Sequence, residues 1–193
     1  MKILTLTFLL GISLIFYESS SGQKNENLLR LTLHTSENSI YNFSELEKSK
    51  ATVIVFFLTD CPASQNYTLT INKLQKKYAK ENIAFDMIFP DTYSSLAEVK
   101  KFKTDYKLSI PAILDPELKL TKLLNAKVAP QCFLIDANGN IVYDGRIDDW
   151  YYKPGKKRTV ILSNDLDNAI SKFIAGKKIE PSKTTPIGCV INY

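Results

Sequence analysis

The sequence is poor in the residues from which most metal and acid–base sites are built. It has one histidine, His34, and three cysteines, Cys61, Cys132 and Cys189. Structural zinc takes four Cys or His ligands, so a zinc site or a Cys–His pair would have to enlist His34, which lies in a strand-like N-terminal segment. No metal and no cofactor is expected. Internal repeats, low-complexity tracts and Pro/Gly/Ser-rich linkers are absent between Gln23 and Tyr193, so the chain reads as one domain with a tail. The formal net charge is only +5. Its lysines are scattered over putative helix faces, among them Lys73, Lys76, Lys77, Lys100, Lys101 and Lys103, as on solvated surfaces. With no recognition motif beside them, nucleic acid is not an expected partner.

The N-terminus is different. Ile3 to Phe16 carries no charge, follows Met1-Lys2 and precedes a polar stretch, Tyr17 to Gly22, the layout of a secretory signal. The apolar run is too short for a membrane span, and no Cys follows it to support lipidation. Residues 1–22 are therefore read as a signal peptide, with a retained N-terminal anchor as the alternative. The domain is then 23–176 and the C-terminal tail 177–193. The expectation is an exported protein, periplasmic or secreted, with no stable membrane insertion after cleavage. Disulfides persist in such compartments, and an odd cysteine count leaves at least one thiol free, reactive or paired with another molecule.

Hydrophobic patterning predicts an α/β fold with a mixed central sheet flanked by helices. Leu29 to His34 and Ile40 to Phe43 suggest a ribbon, followed by a helical turn at Ser44–Glu47. Thr52-Val53-Ile54-Val55-Phe56-Phe57 has the continuous β-branched and aromatic character of a strand buried on both faces. Tyr67, Ile71, Leu74 and Tyr78 then recur at helical spacing, predicting a helix from about Pro62 to Lys80. A second buried strand is expected at Ile83–Phe89, a helix through Leu96, Val99, Phe102 and Tyr106, a short strand at Pro111–Leu114 and a helix near Leu118–Leu124. Asn138-Gly139 between two apolar runs signals an antiparallel hairpin. A helix through Leu166, Ile170 and Phe173, opened by Ser163 or Asn164 and stopped by Gly176, closes the domain. The basic cluster Lys153, Lys156, Lys157 and Arg158 flanks Pro154-Gly155 and reads as a loop.

Cys61 falls where the buried strand ends and the amphipathic helix begins. Unpaired N–H groups and the positive end of the helix dipole stabilise a thiolate there. Pro62 suits the first helical turn, where its missing N–H costs nothing. Ser64 is placed to aim its hydroxyl at the sulfur, whereas the Asp60 carboxylate opposes a second negative charge. A moderately activated thiol is expected, against the alternative of a buried, inert one. Cys132, inside the apolar run Cys132-Phe133-Leu134-Ile135, reads as a small buried hydrophobe. Asp148 and Asp149 are expected to end the hairpin or to pair with Arg146. Trp150, Tyr151 and Tyr152 form either a core plug or, if exposed, a partner surface.

Phe56-Phe57-Leu58-Thr59-Asp60-Cys61-Pro62-Ala63-Ser64 resembles the strand-to-helix corner of the thioredoxin superfamily. Within it the chain is similar to exported redoxins related to the AhpC/TSA peroxiredoxins, through Asp-Cys-Pro-x-Ser, Gly145-Arg146-Ile147-Asp148-Asp149 and Gly188-Cys189. The resemblance implies a thioredoxin-like fold, a thiol oxidoreductase activity (thiol–disulfide exchange or peroxiredoxin-like, antioxidant peroxide reduction), and Pro130 in a cis peptide facing Cys61. Its partners would be a thiol or disulfide protein, a peroxide or an envelope redox protein. Two departures stand out. Ser64 occupies the place of a second active-site Cys and cannot release a mixed disulfide. Leu58 stands where peroxiredoxins carry Thr. A reversible Cys61–Cys189 disulfide is one expectation for the apolar-ended tail; a Cys189 that is merely docked or paired between chains is the other. Cys61, Ser64, Pro130 and Cys189 are the candidate catalytic residues. A non-catalytic thioredoxin-fold docking module, including a Cu(I)-binding one because Cu(I) prefers thiolate, is the competing reading.

Overall fold

The structure, a computed structural model, describes residues 24–90 and 94–193; the proposed signal peptide lies outside them. A short helix α1 (Glu26–Leu29) precedes strands β1 (Thr32–Thr35) and β2 (Ile40–Asn42), a 3-10 helix (Phe43–Lys48) and strand β3 (Ala51–Phe56). Helix α2 (Pro62–Lys77), strand β4 (Ile83–Phe89), helix α3 (Leu96–Asp105), strand β5 (Ala112–Leu114) and helix α4 (Lys119–Leu124) follow. Strands β6 (Val128–Ala129), β7 (Gln131–Asp136), β8 (Ile141–Gly145), β9 (Tyr151–Lys153) and β10 (Lys156–Lys157) lead to helix α5 (Asp165–Ile174) and a terminal strand β11 (Cys189–Val190).

All six residues of β3 are buried, and the sheet is built outward from it. Its strand order is β2-β1-β5-β4-β3-β7-β8, with β4 parallel and β7 antiparallel to β3. Side chains alternate across a strand, so the run that reads as uniformly apolar divides between two cores. Val53, Val55 and Phe57 meet Tyr67, Ile71 and Leu74 of α2, Val99 and Phe102 of α3, and Leu166 and Ile170 of α5. Ile54 and Phe56 meet Leu28, Phe43, Leu46, Leu120 and Leu124, together with Ile191 from the tail. This is the thioredoxin-like α/β arrangement with helices on both faces of a mixed sheet. No helix among the described residues is long and apolar enough to cross a membrane.

Local chemistry explains most boundaries. Ser95 and Glu98 form a capping box that opens α3, Glu98 N–H donating to Ser95 Oγ and Ser95 N–H to Glu98 Oε2. The β7–β8 turn is held by Asp136, whose carboxylate accepts the N–H groups of Asn138 and Asn140, and Gly139 takes the positive φ that the turn needs. Three expectations are corrected. Leu29 ends a helical turn rather than starting a strand, because Asn25 caps α1 by accepting the Leu28 N–H. The helix expected to reach Lys80 stops at Lys77. The basic segment expected to be a loop is a small antiparallel ribbon, β9–β10, turning at Pro154-Gly155.

One buried carboxyl is a pH probe of the second core. Asp86 on β4 is 3% exposed and accepts a 2.6 Å hydrogen bond from Tyr41. Burial pushes it up to about 6, although Tyr41 favours the ionised form. A carboxyl whose folded pKa is raised stabilises the fold fully below its unfolded pKa, and that contribution is lost as pH rises through the folded value. Stability should therefore decline between about pH 4 and the folded pKa near 6 and then level off. Tyr41→Phe removes the donor to the ionised form. Its cost in urea unfolding should be about 1 kcal/mol greater at neutral pH than at acid pH.

Candidate functional site

The chain leaves β3 through Phe57–Asp60 and enters α2 with Cys61 as its N-cap, in extended conformation, and Pro62 in the first turn. The corner is braced from within. Cys61 N–H donates to Leu58 O (3.2 Å), and the Gln65 amide donates to Thr59 O (3.0 Å). Ser64 is fully buried, and its hydroxyl oxygen accepts the Leu58 N–H at 3.2 Å. The expectation that Ser64 aims at the sulfur is thus corrected. The strand ends at Phe56, Leu58 N–H needs a partner, and Ser64 is the group that satisfies it.

Facing the corner is the Ala129–Pro130 peptide, which is cis. The two-residue β6 before it is held by Gln131, whose side chain accepts Lys127 N–H (2.8 Å) and donates to Asp144 (2.7 Å). Sequence reasoning passed over Gln131. The available signal was a lone amide opening an otherwise apolar strand, since a buried amide requires partners.

The tail is fixed on both sides of its cysteine. Upstream, Asp144 N–H donates to Ser182 O and Thr184 N–H to Asp144 O, both at 3.0 Å. The Thr184 hydroxyl also lies 2.7 Å from Tyr143 Oη and accepts Arg146 N–H. Downstream, β11 pairs antiparallel with β6, Cys189 opposite Ala129 and Val190 opposite Val128. Ile191 N–H donates to Lys127 O (3.0 Å), and its side chain, 2% exposed, completes the second core. Tyr193 donates to Ala126 O with the Lys127 ammonium 4.4 Å from its ring centroid. A side chain at Gly188 would collide with the Ala129 carbonyl and Pro130 N, so only glycine lets the tail lie this close.

Cys61 and Cys189 are joined as a disulfide with Cα atoms 6.0 Å apart, within the reach of such a bond. Cys61 Sγ also lies 3.3 Å from Ala129 O. As a disulfide sulfur it has no proton to donate; after reduction the thiol can donate to this carbonyl. Cys61 is only 1% exposed, whereas Cys189 is half-buried. A cavity of about 510 Å³ opens beside the bond, and among the described residues Asp60 and Glu98 are the charged side chains that line it.

The remaining candidates fall elsewhere. Cys132 is completely buried on β7, its thiol donating to Gly145 O, and burial raises its pKa well above the ordinary value. His34 is exposed on β1, and among the described residues no cluster of His, Cys, Asp and Glu could hold a metal ion. The expected Arg146 pairing with Asp148 or Asp149 is corrected. Arg146 pairs with Asp165 (2.7 Å), Asp148 accepts from Tyr67 Oη (2.5 Å), and Asp149 accepts Leu162 and Ser163 N–H and pairs with Arg158. Burial opposes ionisation of Asp149, yet those N–H groups and the two arginines hold its carboxyl below the ordinary range. Trp150 and Tyr151 pack on Tyr67 of α2, so this segment braces that helix, while Tyr152 to Leu162 is exposed.

The Redoxin family model matches residues 22–150, a span holding Cys61 and Pro130 but not the tail. No curated protein matches the chain. Among solved structures, a hypothetical protein of Sinorhizobium meliloti 1021 is 22% identical with a TM-score of 0.76, over 89% of this chain and 93% of that one. An uncharacterised conserved protein of Geobacillus kaustophilus is 19% identical with a TM-score of 0.75, over 89% and 95%. A secreted Mycobacterium tuberculosis disulfide oxidoreductase, described as homologous to DsbE of E. coli, is 14% identical with a TM-score of 0.56, over 78% and 98%. These likenesses are of fold.

Thiol accounting checks the site. N-ethylmaleimide should label no cysteine in the native oxidised protein, Cys132 alone after denaturation without reductant, and all three after reduction. Gly188→Val should prevent the bond from closing, so that all three cysteines label on denaturation alone.

Proposed function

Because the chain belongs to the Redoxin family, we propose that it is a thiol–disulfide oxidoreductase of the cell envelope, cycling between the Cys61–Cys189 disulfide and the dithiol. The observation that carries this reading is the bond itself, which joins a cysteine at a helix N-terminus to a cysteine on a separately anchored tail. Two partner thiols would become one disulfide while two electrons and two protons pass to Cys61 and Cys189; the reverse reaction reduces a partner. The helix N-terminus favours the Cys61 thiolate that this exchange requires. Cys189 takes the resolving role that Ser64 cannot fill, and Pro130 shapes the backbone against which the tail lies. Thiol or disulfide proteins are the partners this chemistry fits. Leu58 disfavours the peroxide reading, because an aliphatic side chain at that place offers a peroxide oxygen no hydrogen bond. Export belongs to the same proposal, resting on the charge-free segment Ile3 to Phe16 and on a compartment where the bond would persist.

The test is equilibration of the purified protein in glutathione redox buffers, together with oxidation of a reduced, unfolded model protein. The Cys61–Cys189 bond should open and close reversibly with buffer poise. Cys61→Ser and Cys189→Ser should each reduce model-protein oxidation to background, with Cys132→Ser retaining it. A bond that stays closed in strongly reducing buffer, or activity that survives both substitutions, would overturn the proposal in favour of a docking module stapled by a structural disulfide.

A further inference from the structure

We propose that the segment Tyr152 to Leu162 is a membrane-contact surface, which holds this protein against a bilayer containing anionic lipid. The surface lies outside the disulfide site and is independent of the exchange activity proposed above.

All eleven residues of this segment are exposed. They include four cations, Lys153, Lys156, Lys157 and Arg158, and no carboxylate, against a net charge of +5 for the full chain, so most of the excess charge is gathered in one stretch. Arg158 pairs with Asp149 at the base of the segment (3.2 Å), whereas the ammonium groups of Lys153 and Lys156 make no hydrogen bond or ion pair among the described residues. Lys157 lies over the rings of Trp150 and Tyr151, 4.5 and 5.2 Å from their centroids. Beyond the β9–β10 turn the chain returns alongside its own outgoing limb, Arg158 N–H donating to Trp150 O (2.7 Å) and Leu162 N–H to the Asp149 carboxylate (2.8 Å). That return displays Val160, Ile161 and Leu162, 67%, 37% and 75% exposed, next in sequence to the basic ribbon.

Three apolar side chains in a row and a group of unpaired cations require different surroundings. An acidic protein surface would answer the lysines and leave Val160 and Leu162 against polar groups. An apolar protein groove would take the valine and leucine and strand the ammonium groups away from water, which is costly. The boundary of an anionic bilayer supplies both environments at different depths. Lipid phosphates meet the ammonium groups, whose flexible stems let the charge reach outward, and acyl carbon meets the apolar side chains. Charge complementarity and apolar exposure therefore select the same partner. The root of the ribbon is tied to the start of α2. The Asn66 amide donates to Pro62 O (2.6 Å) and to Tyr151 Oη (2.9 Å), and Tyr67 packs on Trp150 and Tyr151. Attachment through this segment would thus hold α2, and Cys61 at its N-terminus, close to the lipid surface.

The experiment is vesicle co-sedimentation of the chain beginning at Gln23. Removing residues 1–22 takes away the apolar run Ile3 to Phe16, which would itself enter lipid, and leaves both cores whole, since they are built from Leu28 to Ile191. Binding to vesicles of phosphatidylglycerol mixed with phosphatidylcholine should exceed binding to phosphatidylcholine alone by about tenfold or more, and should fall away in molar salt. Lys153→Gln with Lys156→Gln, and separately Val160→Ser with Leu162→Ser, should each lower partitioning about tenfold. Unchanged urea unfolding verifies that each variant is folded. No binding to the anionic vesicles, no preference for them over neutral ones, or full binding by either double variant would overturn the proposal. So would binding to soluble polyglutamate with none to vesicles, which would assign the surface to an acidic protein instead. Thiol exchange is measured without lipid, so the two proposals fail separately.

Discussion

Backbone groups with no partner inside the main sheet shape this site. Lys127 to Ala129 runs up to a proline that has no N–H to give, and among the described residues β6 pairs only with the tail. The tail supplies the missing partners, and this pairing sets the position of Cys189. Once Cys189 is opposite Ala129, its sulfur meets the start of α2, where Cys61 waits. Glycine at 188 follows, because the tail backbone must lie against the Ala129 carbonyl. The Gln131–Asp144–Lys183 chain of contacts follows too, tying the β6 segment, the edge strand β8 and the tail into one unit.

The two-faced burial of β3 does the corresponding work for the other half of the site. With both faces covered, the strand can release the chain only at its end, and the corner there is compact because Leu58 N–H donates to Ser64, the Gln65 amide to Thr59 O and Cys61 N–H to Leu58 O. A sulfur held at this corner is fixed by the core. The sulfur on the tail is fixed by hydrogen bonds and one buried isoleucine. The asymmetry between the two cysteines is therefore a difference in what holds them as much as in what surrounds them.

Much of this was legible from residue order. The apolar run from Thr52 to Phe57 and the spacing of Tyr67, Ile71, Leu74 and Tyr78 report burial directly, so the sheet centre and the main helix could be read. Asn138-Gly139 is a local turn signal and needs no tertiary context. Helix α1 and the β9–β10 ribbon escaped notice because each is too short for periodicity to register. The orientation of Ser64 depends on an N–H six residues earlier in the chain that becomes unpaired only when β3 ends where it does. Arg146 chose Asp165 over its sequence neighbours because α5 packs beside β8, a fact of topology. That the tail would dock could be inferred from Ile187, Val190 and Ile191, but the register placing Cys189 opposite Ala129 could not, since it exists only once β6 has a free edge.

The cysteines are 128 residues apart in sequence, so the ring closed by their bond takes in every element from α2 to α5 and leaves out those from α1 to β3. In the unfolded chain such a cross-link removes a large share of the accessible conformations, a stabilisation of about 5 kcal/mol in the loop-entropy treatment, comparable with the total stability of many small domains. Oxidation state and fold lifetime are thereby linked. In the cycle proposed above, each opening of the bond would give up that restraint until it closes again, and proteases that sample unfolded chains would gain more frequent access. A pool of this protein held reduced would thus be cleared faster than one held oxidised, making its abundance a slow record of the redox conditions it has met.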